Sequence, residues 1–148
     1  MNILYFVVQQ TMFFAIPLLI VAIGAMYSER SGVINIALEG IMVFGAFTGI
    51  LFINLTQDYM SGQMLLMISI LIAGATGGLF SLLHAFAAIN MKADQTISGT
   101  ALNMFAPAFA IFVARTLQGM QQIQFIDSFR FTKVPILGSI PIVGSLFF

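Results

Sequence analysis

The sequence predicts an all-α, polytopic membrane protein, with about four transmembrane helices followed by an irregular external segment. Three observations carry that prediction. Hydrophobic residues make up 60 % of the chain and charged residues only 7 %, against about 25 % charged in a soluble domain, and the mean hydropathy is +1.07. The few charges act as punctuation, at Glu29/Arg30, Glu39, Asp58, Lys92/Asp94, Arg115 and Asp127/Arg130/Lys133. Most of the stretches between them reach the roughly 20 apolar residues needed to cross a bilayer. After Leu117, proline and glycine recur too densely for a continuous helix.

The first span is expected over about Leu4–Tyr27. It has no basic leader, and its uncharged run exceeds the roughly 7–15 apolar residues of a signal peptide, so it reads as a membrane helix. Gln9, Gln10 and Thr11 form a small polar cluster on it, and Pro17 removes one backbone donor. Pro17, like Pro107 in span four, is either a working hinge or one of the prolines that membrane helices commonly tolerate.

Span two is expected over about Val33–Leu55 and span three, the longest, over about Met64–Asn90. Each carries glycines four apart, Gly45/Gly49 and Gly74/Gly78, which share a helix face and let two backbones approach closely. Span four follows at about Ile97–Leu117, and residues 118–148 form the external segment. That segment holds a near-repeat, Pro135-Ile-Leu-Gly-Ser-Ile then Pro141-Ile-Val-Gly-Ser-Leu, and ends on Leu146-Phe147-Phe148, which reads as the start of a further span. Arg30 and Lys92 lie in short loops on one side, so the positive-inside rule puts them in the cytoplasm and the tail outside.

The inventory narrows the function classes. Five basic and five acidic residues cancel, which argues against a nucleic-acid surface. Zero cysteines exclude disulfides and thiol chemistry, and one histidine makes a histidine-based metal site improbable. There is no Ser/His/Asp set, no carboxylate pair and no phosphate-binding Gly-x-x-x-x-Gly-Lys loop. The reading is therefore a non-enzyme without cofactor or metal. His84 stands alone in span three and is expected to pack between helices or near an interface.

Glu39 is the exception in an uncharged run from Ser31 to Gln57. A carboxylate inside a span costs roughly 2.5–3.5 kcal/mol on insertion scales, so something must offset it. On a continuous helix Asn35 lies one turn earlier on the same face, within reach of a side-chain hydrogen bond. Two readings stand: an anchor bonded to the backbone of a neighbouring span, which a single acid favours, or a group at a helix break or on a polar pathway.

A second constellation precedes and enters span four: Lys92-Ala-Asp94-Gln95-Thr96-Ile-Ser98-Gly-Thr100-Ala-Leu-Asn103. Asp94, Thr96 and Ser98 are N-cap candidates. Thr96, Thr100 and Asn103 share a face by their spacings of four and three, with Gln95 bordering it. Such a stripe must meet another helix or water. The candidate pathway or structural polar residues are thus Asn35, Glu39, Gln95, Thr96, Ser98, Thr100 and Asn103. For a ring-bearing solute, Phe13, Phe14, Phe44 and Phe47 are possible stacking groups, and nothing in the sequence singles one out.

At these two constellations the chain resembles a known family. Glu29-Arg30-Ser31-Gly32-Val33-Ile34-Asn35-Ile36-Ala37-Leu38-Glu39-Gly40, followed by Met42 and Gly45-Ala46-Phe47, resembles the signature of bacterial ABC-importer permeases for nucleosides and simple sugars. That branch is related to ribose and branched-chain amino-acid permeases. Lys92 through Asn103 is similar to a second block of the same family, and Val134-Pro135-Ile136-Leu137-Gly138 with Ile140-Pro141 is similar to its external segment.

The resemblance implies the translocation subunit of an ATP-driven importer in the plasma membrane of a bacterium. Its partners would be a cytoplasmic ABC ATPase, a second permease subunit (identical or homologous), an external solute-binding protein and the lipid bilayer, with no nucleic acid. Such permeases are about double this length, so residues 1–148 would be the N-terminal part of one transmembrane domain, without transport activity alone. The alternative class is an ion-coupled carrier or small oligomeric channel with Glu39 as titrating group. A non-transporting membrane assembly subunit is a third, supported only by the glycine pairs.

Overall fold

The computed structural model describes residues 3–125 and Phe129. Four helices follow in order: α1 (Ile3–Arg30), α2 (Leu38–Thr56), α3 (Gln63–Ile89) and α4 (Gln95–Gln118). All four are long and apolar enough to cross a membrane. The near-repeat at Pro135 to Leu146 and the terminal Phe147-Phe148 lie outside the described residues.

Spans one, three and four fall within two or three residues of expectation. Span two does not: its helix begins at Leu38 rather than Val33. One reason is local. Gly32 adopts φ +86°, a left-handed conformation that closes α1 and that a side chain disfavours. Val33 N–H then bonds Ser28 C=O at 3.4 Å and Gly32 N–H bonds Glu29 C=O at 3.0 Å, the paired bonds of a Schellman end. The Ser28 hydroxyl adds a bond to the Val33 carbonyl at 2.8 Å. The chain therefore enters the bundle as a non-helical segment, residues 33–37, that turns at Ile36 and Ala37 into α2. The 19 residues of α2 span about 28 Å, just under the thickness of a bilayer's hydrocarbon core.

Helices α2 and α3 pack along a seam of small residues. A Cβ on Gly45 would lie 2.8 Å from the Ala73 carbonyl oxygen, and one on Gly49 would lie 3.0 Å from Ala73 Cβ and 3.1 Å from the Ser69 carbonyl oxygen. The α2 glycine pair is thus used as its spacing predicts. On α3 the expected pair is not: Gly74 and Gly78 face open space, and Ser69, Ala73 and Gly77 form the contact, again four apart. The hydroxyls of Thr48 and Thr76 bond each other across the same seam.

Helix α4 lies against α2 and α3, whereas α1 contacts only α2 and buries no residue. Pro17 sits within α1 and Pro107 within α4, and neither ends its helix. Asp94 is the N-cap of α4, its carboxylate accepting from Thr96 and Ile97 N–H at 2.8 and 3.0 Å. Gly119, at φ +71°, closes the other end.

Candidate functional site

The non-helical segment before α2 presents backbone groups that no helix satisfies. In an apolar setting each unsatisfied group costs several kcal/mol, so side chains must supply the partners. Five side-chain bonds do so, four on the segment and one on the first turn of α2. Ile34 N–H donates to Gln95 Oε1 at 2.8 Å. His84 Nε2 lies 3.3 Å from the Ile34 carbonyl oxygen. Asn103 Nδ2 donates to the Ile36 carbonyl at 2.7 Å, and Asn103 Oδ1 accepts from Gly40 N–H at 2.7 Å. Asn35 Oδ1 accepts from Ala37 N–H at 3.1 Å.

His84 joins the three elements. Its ring is 2 % exposed, with Nδ1 at 2.8 Å from Ser98 Oγ and Nε2 on the Ile34 carbonyl. A carbonyl only accepts, so Nε2 carries the hydrogen and Nδ1 accepts the Ser98 hydroxyl in the neutral ring. The lone histidine thus packs between helices, as its sequence context indicates, and also stitches α3 to α4 and to the segment before α2.

Glycines make room for this meeting. A Cβ on Gly99 would lie 2.9 Å from Ile36 Cβ, and one on Gly40 would lie 2.7 Å from the Leu102 carbonyl oxygen. The two sequence blocks, 29–40 and 92–103, are therefore the two sides of one contact.

The predicted residues divide by role. Gln95, Ser98 and Asn103 face the contact. Thr96 and Thr100 do not: both are exposed, and the Thr100 hydroxyl bonds back to the Thr96 carbonyl at 2.8 Å. A threonine can satisfy itself this way on its own helix, whereas the longer Asn103 amide reaches across. Asn35 lies outside α2 and turns onto its own backbone, so the expected Asn35–Glu39 pair is absent. Glu39 occupies the first turn of α2 with its side chain exposed, and among the described residues it makes no hydrogen bond or ion pair. Its position suits the positive end of the helix dipole. Asn103, not Glu39, bonds the neighbouring span's backbone.

Beyond the clamp, five phenylalanines from three helices meet. Phe44 stacks on Phe80 at 4.3 Å between ring centroids, and Phe80 is 5 % exposed. Phe109 lies 5.6 Å from both Phe44 and Phe105, and meets Phe47 edge-on at 6.3 Å. Of the four stacking candidates, Phe44 and Phe47 belong to this cluster, and Phe13 and Phe14 stay exposed on α1. Nothing in the sequence singles out Phe80, Phe105 and Phe109. The spacing of four between Phe105 and Phe109 is a signal for a shared face, but it does not say what that face meets.

Four helices long and apolar enough to cross a membrane, three of them joined by polar side-chain contacts, define a multi-pass membrane protein. The chain belongs to the branched-chain amino acid transport system / permease component family, whose model matches residues 7–147. It is 47 % identical over 148 residues to the guanosine ABC transporter permease protein NupQ of Bacillus subtilis (strain 168), covering 99 % of this chain and 46 % of NupQ. It is 41 % identical over 147 residues to the nucleoside ABC transporter permease protein NupC of Lactococcus lactis subsp. cremoris (strain MG1363), again 99 % of this chain and 46 % of the relative. The chain thus spans about half the length of these curated relatives. No solved structure matches it. Family and helices together make it a multi-pass protein of the plasma membrane.

Proposed function

We propose that this chain forms part of the translocation pathway of an ATP-driven ABC importer for nucleosides. The observation that carries the reading is the identity, 47 % and 41 % over nearly the whole of this chain, to about half the length of two nucleoside permeases. The geometry is in keeping with it. An importer alternates between two states, which requires rigid bodies that move as units. The clamp and the glycine seam join α2, α3 and α4 into one such unit, while α1 is attached to α2 alone.

In this reading a separate ATPase subunit supplies the driving force, since this chain carries no nucleotide-binding loop. A second permease subunit and an external solute-binding protein complete the importer. Arg30 and Lys92 mark the cytoplasmic end, and the C-terminal ends of α2 and α4 face outward. Glu39, exposed near the cytoplasmic end of α2, stands where another element of the importer or a polar pathway meets that face.

The test is reconstitution of the intact permease with its ATPase and binding protein in liposomes. Uptake of radiolabelled guanosine that requires ATP and the binding protein supports the proposal. Uptake that proceeds without ATP overturns it.

A further inference from the structure

A cleft of about 210 Å³ opens between α2 and α4, at the end of the bundle away from Arg30 and Lys92. Its walls are Phe47, Ile50, Ala110 and Ala114, and its rim carries Gln121 and Gln122. The rim is held by specific bonds. Gly119 turns the chain at the end of α4, and Gln124 is then fastened on both sides of its backbone. Its N–H donates to Gln118 Oε1 at 3.2 Å, and its carbonyl accepts from Asn54 Nδ2 of α2 at 2.6 Å. Residues 119–124 therefore form a strap from α4 to α2, with the two glutamines over the groove.

The chemistry of this cleft is selective. No charged residue lines it, so it suits a neutral solute and supplies no cation to balance a phosphate. Its volume falls below the roughly 300–1,000 Å³ of pockets that enclose drug-sized molecules, which fits one planar ring system better than a whole nucleoside. Phe47 supplies an aromatic surface, since its edge-on contact with Phe109 engages at most one of its two faces. Gln121 and Gln122 are exposed, and among the described residues their amides have no hydrogen-bond partner. An amide carries both an acceptor and donors, the combination that pairs with the edge of a nucleobase. A sugar needs bonds all round its ring, and only the rim offers any.

We propose that this cleft is an outer subsite that receives the base of a nucleoside, stacked on Phe47 and edged by Gln121 and Gln122, a proposal that rests on the nucleoside-importer reading above. The experiment uses the intact permease complex in lipid nanodiscs and a photoactivatable azidopurine nucleoside as probe, with adducts mapped by mass spectrometry. Adducts on Phe47 or on residues 118–124, suppressed by guanosine and not by ribose, are expected. Phe47→Leu, which keeps apolar bulk but removes the ring, should weaken labelling about fivefold or more, and Phe47→Tyr should retain it. Gln121→Ala with Gln122→Ala should lower it further, with the melting temperature of each variant checked against the parent.

Adducts only elsewhere, labelling insensitive to guanosine, or equal labelling of Phe47→Leu and the parent overturns the subsite. ATP-driven guanosine uptake with no adduct in the cleft removes the subsite and leaves the importer reading standing. Specific labelling of the cleft in a complex that transports without ATP does the reverse.

Discussion

Asn103 of α4 accepts the backbone hydrogen of Gly40 at 2.7 Å, so a distant helix supplies the N-terminal cap that α2 lacks. The residue at the N-cap position is Ala37, which has no side-chain acceptor to offer. The same amide returns a hydrogen to the Ile36 carbonyl. Cap and clamp are therefore one interaction, and the start of α2 depends on α4 being in place.

Asn103→Ala should lower stability by about 2 kcal/mol or more, combining a lost cap of about 1 kcal/mol with an Ile36 carbonyl left unsatisfied at about 1–3 kcal/mol. Unfolding of the permease in mixed detergent micelles measures it. A change below about 0.5 kcal/mol, the usual size for an uninvolved surface position, would remove the clamp from the account.

The glycines give a paired test. Gly45→Ala places a Cβ 2.8 Å from the Ala73 carbonyl oxygen, whereas Gly74→Ala and Gly78→Ala enter open space. The first should destabilise by about 1–3 kcal/mol through overpacking. The other two should be neutral or slightly stabilising, since alanine restricts the unfolded chain more than glycine does. The same unfolding assay separates them, and equal effects at all three positions would contradict the seam.

His84 and Ser98 should be energetically coupled. Ser98→Ala leaves a buried ring nitrogen without a partner, at about 1–3 kcal/mol. A double-mutant cycle of Ser98→Ala with His84→Phe should return a coupling energy of about 0.5–3 kcal/mol. Additive effects would mean that the 2.8 Å contact contributes nothing.

Glu39 should separate stability from transport. Because it makes no bond among the described residues, Glu39→Gln and Glu39→Leu should each change stability by no more than about 0.5 kcal/mol. In the reconstituted importer Glu39→Leu should cut guanosine uptake about tenfold, the loss expected when an interaction of roughly 1.4 kcal/mol is removed from the working cycle. Marked destabilisation by leucine would restore the anchor reading.

Much of this was legible from residue order. Helix number and approximate ends follow from apolar length and charge placement, because a bilayer imposes both. The α2 glycine pair was legible because spacing of four defines a face. The Gly77 contact was not: Gly74, Gly77 and Gly78 are all compatible with close packing, and only the rotation of α3 against α2 selects among them. The polar face of α4 was half legible, since Asn103 stands at its edge beside threonines that bond to their own helix.

The sequence by itself determined the class of protein, the four spans, Asp94 as one of three caps, and the two motif blocks. These are properties of short stretches, set by hydropathy, helical periodicity and local hydrogen bonding. Tertiary structure alone decided what Asn103, Gln95 and His84 bond, and which phenylalanines meet. Each of these depends on groups far apart in the chain: Gly40 and Asn103 are separated by 63 residues, and Ile34 and Gln95 by 61. A buried backbone group takes whichever partner the fold brings to it, and no local pattern records that choice.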